Sequence, residues 1–178
     1  MHSVADAPRS CPVPKRRRPR FKGAGLERYP RIHLTVHGFA DERNPDRAAL
    51  AMLSDAAKGE DGLLQASEIV QLRLKAALVV LSACETAVGA LQGQEGVANL
   101  SRAFLLAGAR NVVSTLWPVE DESSLYLMRR FYIHLAAKKS VPLALAGAKR
   151  DLIRTFPRDA RPYHWAAYTS EGAFVVLP

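Results

Sequence analysis

The sequence has few cysteines and no long apolar run. Its two cysteines, Cys11 and Cys84, form no CxxC pair, which argues against a disulfide-stabilised secreted domain and against a structural zinc site. There is no stretch of about 18 apolar residues of the kind that spans a membrane, and no signal-peptide core follows the basic N-terminus. We therefore expect a cytoplasmic protein with no membrane partner.

Acidic residues are outnumbered by basic ones, and the excess lies at the N-terminus. The formal net charge is +8, and residues 1–31, with nine Lys/Arg and two Asp/Glu, contribute +7 of it. Four prolines occur before position 20, so residues 1–30 cannot bury enough apolar surface to offset the entropy of ordering. We predict a disordered basic arm. A nucleic-acid-binding role would rest on this arm alone, because the body of the chain is close to neutral.

From Arg31 onward, strand patterns alternate with helical ones. The segment "RIHLTVHGF" alternates apolar and polar residues as a strand requires, the run Leu78–Leu81 suits a strand buried on both faces, and "NVVSTLW" predicts a third strand. Residues 40–62 are predicted to form a long polar loop.

Helices are expected after most of these strands. Helical patterns occupy "SEIVQLRL", capped by Ser67, then "QEGVANLSRAFLLAGA", ending at Gly108, then "DESSLYLMRRFYIHLAAKK" and residues 142–154, and one or two more strands are expected around Gly172. This order predicts an α/β fold, with a mainly parallel sheet and helices on both faces.

Chemically useful residues follow the three best strands. They end in His37-Gly38, in Cys84-Glu85-Thr86 and in "WPVED", which includes Glu120 and Asp121. Because ligands of open α/β sheets bind outside the carboxyl ends of the strands, a histidine, a cysteine and two carboxylates are expected at one rim.

A histidine beside a cysteine can support nucleophilic catalysis. The imidazole of His37 would lower the pKa of the Cys84 thiol and later protonate a leaving amine, and the backbone amides of Gly38 and Cys84 could face an oxyanion. Taken singly, each side chain is better explained as core filling than as a catalytic group, since free cysteine is often buried. Both residues, however, come directly after separate predicted parallel strands, and core filling gives no reason for this shared position.

The order of His37 and Cys84 along the chain distinguishes between two classes of cysteine enzyme. An α/β-hydrolase needs glycines around its nucleophile and its histidine last, whereas here Ser82 and Thr86 flank the cysteine and His37 comes first. A histidine about 50 residues before the cysteine is the caspase arrangement, and the separation here is 47.

The motifs "HLTVHGF", "DGLLQASEIVQLRL", "LVVLSACETAVG", "GQEGVANLSRAFLLAGARNVVSTLWPVED" and "PYHWAAY" resemble the CHAT domain. Members of this family are caspase-like domains found with tetratricopeptide repeats and are related to separases. The resemblance covers about residues 31–170. It implies a three-layer caspase-like sandwich over residues 31–178.

The resemblance also implies roles for individual residues. His37 would be the general base and acid, Cys84 the nucleophile, and Gly38 a donor to the oxyanion. Asp121, with Glu120 as second choice, would line a pocket for a basic substrate residue. The partners implied are a protein substrate and, in another protein, a tetratricopeptide-repeat region. No metal and no organic cofactor is needed.

One departure from the family leaves a second hypothesis open. The family has strands before the histidine strand, and here the basic arm occupies that place, so we expect a domain that lacks its N-terminal part and has an unpaired sheet edge. Such a chain could instead be a catalytically silent CHAT-type interaction module. His33, four residues before His37, is expected to be structural.

Overall fold

The computed structural model describes residues 25–41, 44–52, 54, 61–82, 94–156, 161–174 and 176–177. The strands are β1 (Arg31–Leu34), β2 (Gly38–Asp41), β3 (Asn44–Ala51), β4 (Leu63–Gln65), β5 (Leu78–Leu81), β6 (Asn111–Thr115) and β7 (Tyr168–Gly172). The helices are α1 (Ala66–Ile69), α2 (Gln94–Leu106), α3 (Asp121–Ala136), α4 (Val141–Thr155) and α5 (Pro162–Trp165).

A four-stranded sheet forms the centre of the fold, in the order β1-β5-β6-β7. β1, β5 and β6 run parallel, and β7 pairs antiparallel with β6. All four residues of β5 and all five of β6 are buried, as expected of inner strands covered on both faces. The predicted α/β class with a mainly parallel sheet is confirmed.

Helices cover both faces of this sheet. Leu78 and Val80 of β5 point to one face, where they join a core cluster with residues of α3 and α4 such as Phe131 and Leu152. Val79 and Leu81 alternate to the other face and pack in a second cluster with α1 and α2. The result is the three-layer sandwich that the sequence and its family resemblance predict.

A second sheet replaces much of the predicted loop at residues 40–62, and that prediction was wrong. β2, β3 and β4 form a three-stranded antiparallel sheet. Ala48 and Leu50 of β3 are buried in the same cluster as α1 and α2. Alanine has a low intrinsic preference for strands, so the strand depends on packing against the rest of the core, which local sequence does not reveal.

The start of α1 and the end of α2 are each determined by identifiable residues. α1 begins one residue before the predicted cap Ser67, because Gln65 is its N-cap and donates its N–H to Glu68 Oε2 at 2.9 Å. Gly108 ends α2 as predicted, with a φ of +108°. A Cβ atom there would collide with the carbonyl oxygen of Leu74, so the turn requires glycine both for its backbone angle and for space.

Residues 1–24 of the predicted arm lie outside the described residues. The part that is described approaches the domain: Leu26–Arg28 form a 3₁₀ turn, and Leu26 packs against the cluster of α1 and α2. The carbonyl oxygen of Pro30 accepts a hydrogen bond from Ala77 N–H at 2.7 Å, which joins this segment to the residue before β5.

Candidate active site

Three parallel strands reach the same rim in one register. Leu34 of β1 pairs with Leu81 of β5, which pairs with Ser114 of β6. Ser82 N–H donates to Leu34 O at 3.0 Å and carries the β1–β5 ladder one residue further. His37 and Cys84 each follow their register residue by three positions in the sequence.

His37 lies in the turn between β1 and β2. Its side chain is exposed, and its backbone carbonyl accepts a hydrogen bond from Ala51 N–H at 2.7 Å. This bond fixes the main chain of the histidine to the end of β3. An exposed imidazole on an anchored backbone is accessible to a substrate.

Gly38 begins β2 and is paired with Leu50. The bond from Ala51 N–H to His37 O flanks this pair, so Gly38 and Leu50 form a non-hydrogen-bonded pair of the antiparallel ladder. The N–H of Gly38 therefore points away from β3, and the ladder makes no use of it. Such an amide is a suitable donor to an oxyanion.

Cys84, with Glu85 and Thr86, falls in residues 83–93, outside the described residues. Ser82 is the last described residue before it, and its residue surface is 7% exposed. The location of the Cys84 thiol and its distance from His37 therefore remain predictions from the sequence.

The carboxylates expected after β6 lie at the start of α3. Glu120 is the N-cap residue, and its carbonyl oxygen accepts hydrogen bonds from Ser124 N–H and Ser123 Oγ, both at 3.0 Å. Asp121 is the first residue of the helix. Both side chains are exposed, while Val119 just before them is buried and holds the segment against the core.

Glu120 borders a cleft of about 300 Å³ that lies between the first turn of α3, the end of α4 and α5. Glu122, Ser123, Arg161 and His164 also line it, whereas Asp121 does not. The Nδ1 atom of His164 lies 3.5 Å from Ser123 Oγ and 3.8 Å from Glu120 Oε2.

Two histidines without a role in any motif have defined partners. His33 Nδ1 lies 2.9 Å from the hydroxyl of Tyr132 on α3, in accord with a structural role. Desolvation lowers the pKa of His33, and desolvation raises the pKa of Tyr132 against the opposing charge of Arg31. The second of these two histidines is His134.

His134 belongs to a charged cluster that joins α3 to α4. Its Nε2 atom lies 2.8 Å from Asp151 Oδ2, to which Arg130 Nε donates at 2.7 Å. Lys139 Nζ lies 3.0 Å from His134 Nδ1. Desolvation opposes ionisation of Asp151, but the hydrogen bonds from Arg130 and His134 outweigh it and hold the pKa of the carboxyl below its usual value.

The sequence contained one signal for this cluster, the spacing of Arg130 and His134 at i and i+4 on a predicted helix. Gly147 on α4 completes it, since a Cβ there would approach the His134 ring to 2.8 Å. Across α4, Lys149 Nζ donates to Tyr168 O at 2.7 Å and lies 5.9 Å from the ring centre of Trp165, and burial lowers its pKa.

In the part of the chain that the structure describes, no three or more His, Cys, Asp or Glu side chains converge to hold a metal ion. None of the described helices combines the length and the apolar character needed to cross a membrane.

The fold defines the class of protein as a mainly parallel α/β sandwich whose candidate reactive residues follow neighbouring strands. The family model described as "CHAT domain" matches residues 16–173, and the chain belongs to this family.

Two curated proteins are similar to the chain over most of its length. Tetratricopeptide repeat protein 28 of Mus musculus is 33% identical over 132 residues, which cover 74% of this chain. The protein of the same name from Homo sapiens is 31% identical over 125 residues, or 70% of this chain. The alignment covers only 5% of either relative, so this chain is similar to a small part of each of these proteins.

Proposed function

We propose that this chain is a cysteine endopeptidase domain that cleaves a protein partner through a dyad of Cys84 and His37. The observation that carries the proposal is the register of β1 and β5. Leu34 pairs with Leu81, and His37 and Cys84 each follow their member of this pair by three residues. Membership of a caspase-like peptidase family supports the same assignment. The domain is taken to extend over residues 31–178.

The chemistry follows from the two side chains and the backbone. His37 takes the proton of the Cys84 thiol, and the thiolate attacks the carbonyl carbon of a peptide bond, with the Gly38 and Cys84 amides donating to the oxyanion. The C–N bond then breaks as the imidazolium gives its proton to the leaving amine, which leaves a thioester.

Water completes the reaction. His37 takes a proton from the water that attacks the thioester, the C–S bond breaks, and the proton returns to the sulfur of Cys84. The products are an amine and a carboxylic acid, and the thiol is regenerated. No metal ion or organic cofactor takes part.

The substrate is proposed to be a polypeptide with a basic residue. The family resemblance implies Asp121 first and Glu120 second as its binding carboxylate. The structure favours Glu120 because this residue borders the cleft next to α3, while Asp121 does not.

The test is cleavage of a peptide library, with the new termini identified by mass spectrometry. Cleavage by the chain and its loss in both Cys84→Ala and His37→Ala are expected. His33→Ala is the matched control, because that histidine lies on β1, four residues before His37, and contacts Tyr132 instead. Cleavage that persists in Cys84→Ala would refute the dyad.

A second candidate function is a catalytically silent interaction module. It is favoured by the edge of β1, which in the described part of the chain pairs on one side only, with β5. Unpaired edges invite association with another chain. This candidate predicts a folded protein that cleaves no peptide and whose Cys84 reacts like an ordinary thiol. A repeat-containing protein is the partner proposed for it, since both relatives are named for tetratricopeptide repeats.

A further inference from the structure

A basic surface lies at the amino ends of the parallel strands, opposite the rim of the candidate active site. Arg31 is the first residue of β1, and Arg110 directly precedes β6. Between these two strands in the sheet, the segment that enters β5 carries Arg73 and Lys75. We call this surface the amino-end face, and its exposed residues are Arg28, Tyr29, Arg31, Arg73, Lys75, Arg110 and Phe174.

The backbone beneath the central cations of this face is held in place by the fold. Arg110 N–H donates to Ala76 O at 2.9 Å, which bonds the segment before β5 to the start of β6. Leu74 and Ala76 of this segment are buried. Arg73 and Lys75 alternate with them and are exposed. Three cations therefore project to solvent from two bonded stretches of main chain.

The amino-end face is positively charged, although the body of the chain is close to neutral. Its five cations adjoin two described carboxylates, Glu27 beside Arg28 and Glu171 on β7, which leaves a formal charge of +3. The exposed carboxylates of Glu120 and Asp121 lie at the opposite rim. The fold thus adds a second basic surface to the N-terminal arm, on which the sequence alone places any binding of nucleic acid.

Two exposed aromatic rings accompany these cations. Tyr29 is 52% exposed and directly follows Arg28. Phe174 is 68% exposed, and the residue before it, Ala173, donates its N–H to Arg110 O at 3.0 Å. An exposed ring next to a cation is the arrangement on which an unpaired base can stack while its phosphate is neutralised.

We propose that the amino-end face binds single-stranded nucleic acid, with its cations on the phosphates and with Tyr29 and Phe174 stacked on bases. Four of the five cations are arginines, whose planar guanidinium groups bind phosphate oxygens in pairs. The four strands of the sheet lie about 4.8 Å apart, so the face is about 14 Å wide, enough for several phosphates of one strand. The rings favour a single strand over a duplex, because the bases of a duplex are stacked on one another.

This inference goes beyond the proposed peptidase. His37 follows the carboxyl end of β1, whereas the amino-end face lies at the other end of the same strand. A nucleic acid bound at this face would leave the rim of His37 open to a polypeptide. Binding needs neither Cys84 nor His37, so either proposal can fail without the other.

The experiment is a fluorescence anisotropy titration of the full chain with labelled oligothymidylate and oligouridylate of about 20 nucleotides, which distinguish DNA from RNA as the ligand. The control ligands are a duplex of the same length and polyglutamate, a polyanion without bases. We expect at least one of the single strands to bind at least about fivefold more tightly than the duplex. Polyglutamate should be a weak competitor.

Two variants of equal net charge test the cations. The first combines Arg73→Gln, Lys75→Gln and Arg110→Gln. The matched control combines three substitutions at exposed positions of α3 and α4, Arg129→Gln, Arg150→Gln and Arg154→Gln. The first variant should bind at least about tenfold more weakly and lower the slope of log Kd against log salt by about 2, whereas the control should change the affinity less than about twofold. Both keep the N-terminal arm, so its contribution cancels.

A third variant tests the rings. Tyr29→Ala combined with Phe174→Ala should weaken single-strand binding at least about tenfold and leave the affinity for the duplex within about twofold. Tyr163→Ala is the control, because it removes an exposed ring on α5. Circular dichroism checks that each variant is folded.

Several results would overturn the inference. They are failure to bind either oligonucleotide, equal losses in the two charge variants, and single-strand binding that does not depend on Tyr29 and Phe174. Binding to phosphatidylserine vesicles by a chain that binds neither oligonucleotide would assign the face to a membrane surface instead.

Discussion

The N–H of Ser82 donates to the carbonyl oxygen of Leu34 at 3.0 Å, one residue beyond Leu81, the last paired residue of β5 in the β1–β5 ladder. The two strands therefore leave the sheet together, and the segments that contain His37 and Cys84 start from the same level. Adjacent parallel strands lie about 4.8 Å apart, and this spacing supports the proposal that Cys84 and His37 form a dyad.

Replacing Asp151 by Asn should destabilise the fold at neutral pH. The pKa of Asp151 is held low in the folded state, so its stabilisation is present above the unfolded pKa and is lost as pH falls through the folded pKa. Urea titrations should give a loss of about 1–3 kcal/mol at pH 7. This difference between wild type and variant should shrink steadily in acid.

Glu27→Gln is the control for that series, because Glu27 is exposed in the turn before β1. Its effect should stay within about 0.5 kcal/mol at every pH. An Asp151→Asn effect that is independent of pH would mean that the charge of Asp151 does not support the α3–α4 contact.

Replacing Gly108 by Ala should destabilise the protein by at least about 2 kcal/mol, since its φ of +108° strains any side chain and the new Cβ would meet Leu74 O. Gly25→Ala is the comparison: its φ is +63°, and the nearest atom is Arg28 Nε at 3.3 Å on a flexible side chain. There the cost should be about 1 kcal/mol. Thermal unfolding followed by circular dichroism measures both, and equal costs would refute the close approach at Gly108.

Truncating Phe131 to Ala should cost about 3–5 kcal/mol, because this ring is fully buried between α3 and the sheet. Ile133 lies on the same helix and is 51% exposed, so Ile133→Ala should change the free energy of unfolding by less than about 0.5 kcal/mol. Urea unfolding of the two variants compares them directly. A small effect of Phe131→Ala would contradict the assignment of this face of α3 to the core.

Much of the fold could be predicted from local pattern. The run Leu78–Leu81 is apolar at every position, which suits a strand covered on both faces, and the amphipathic pattern of residues 121–136 predicts α3. The strand at Ala48–Leu50 could not be predicted, because its alanines favour no strand by themselves and are buried only by contact with α1 and α2.

The candidate site, like the fold, could be predicted from the sequence only in part. Strand order and the family motifs are enough to name His37, Gly38 and Cys84, since the rule that parallel strands end at one rim needs no coordinates. The cleft could not be found in this way, because Glu122, Leu152 and His164 come from three helices whose packing brings them together. Likewise, nothing in the sequence near His134 points to Asp151.

The most direct test of the dyad is the pH dependence of Cys84 alkylation in a Cys11→Ser background, followed by mass spectrometry. If His37 stabilises the thiolate, the apparent pKa of the thiol should lie about one unit or more below 8.5 and return to roughly 8.5 in His37→Ala, while His33→Ala leaves it unchanged. An apparent pKa near 8.5 in the wild-type chain that His37→Ala does not alter would contradict the account.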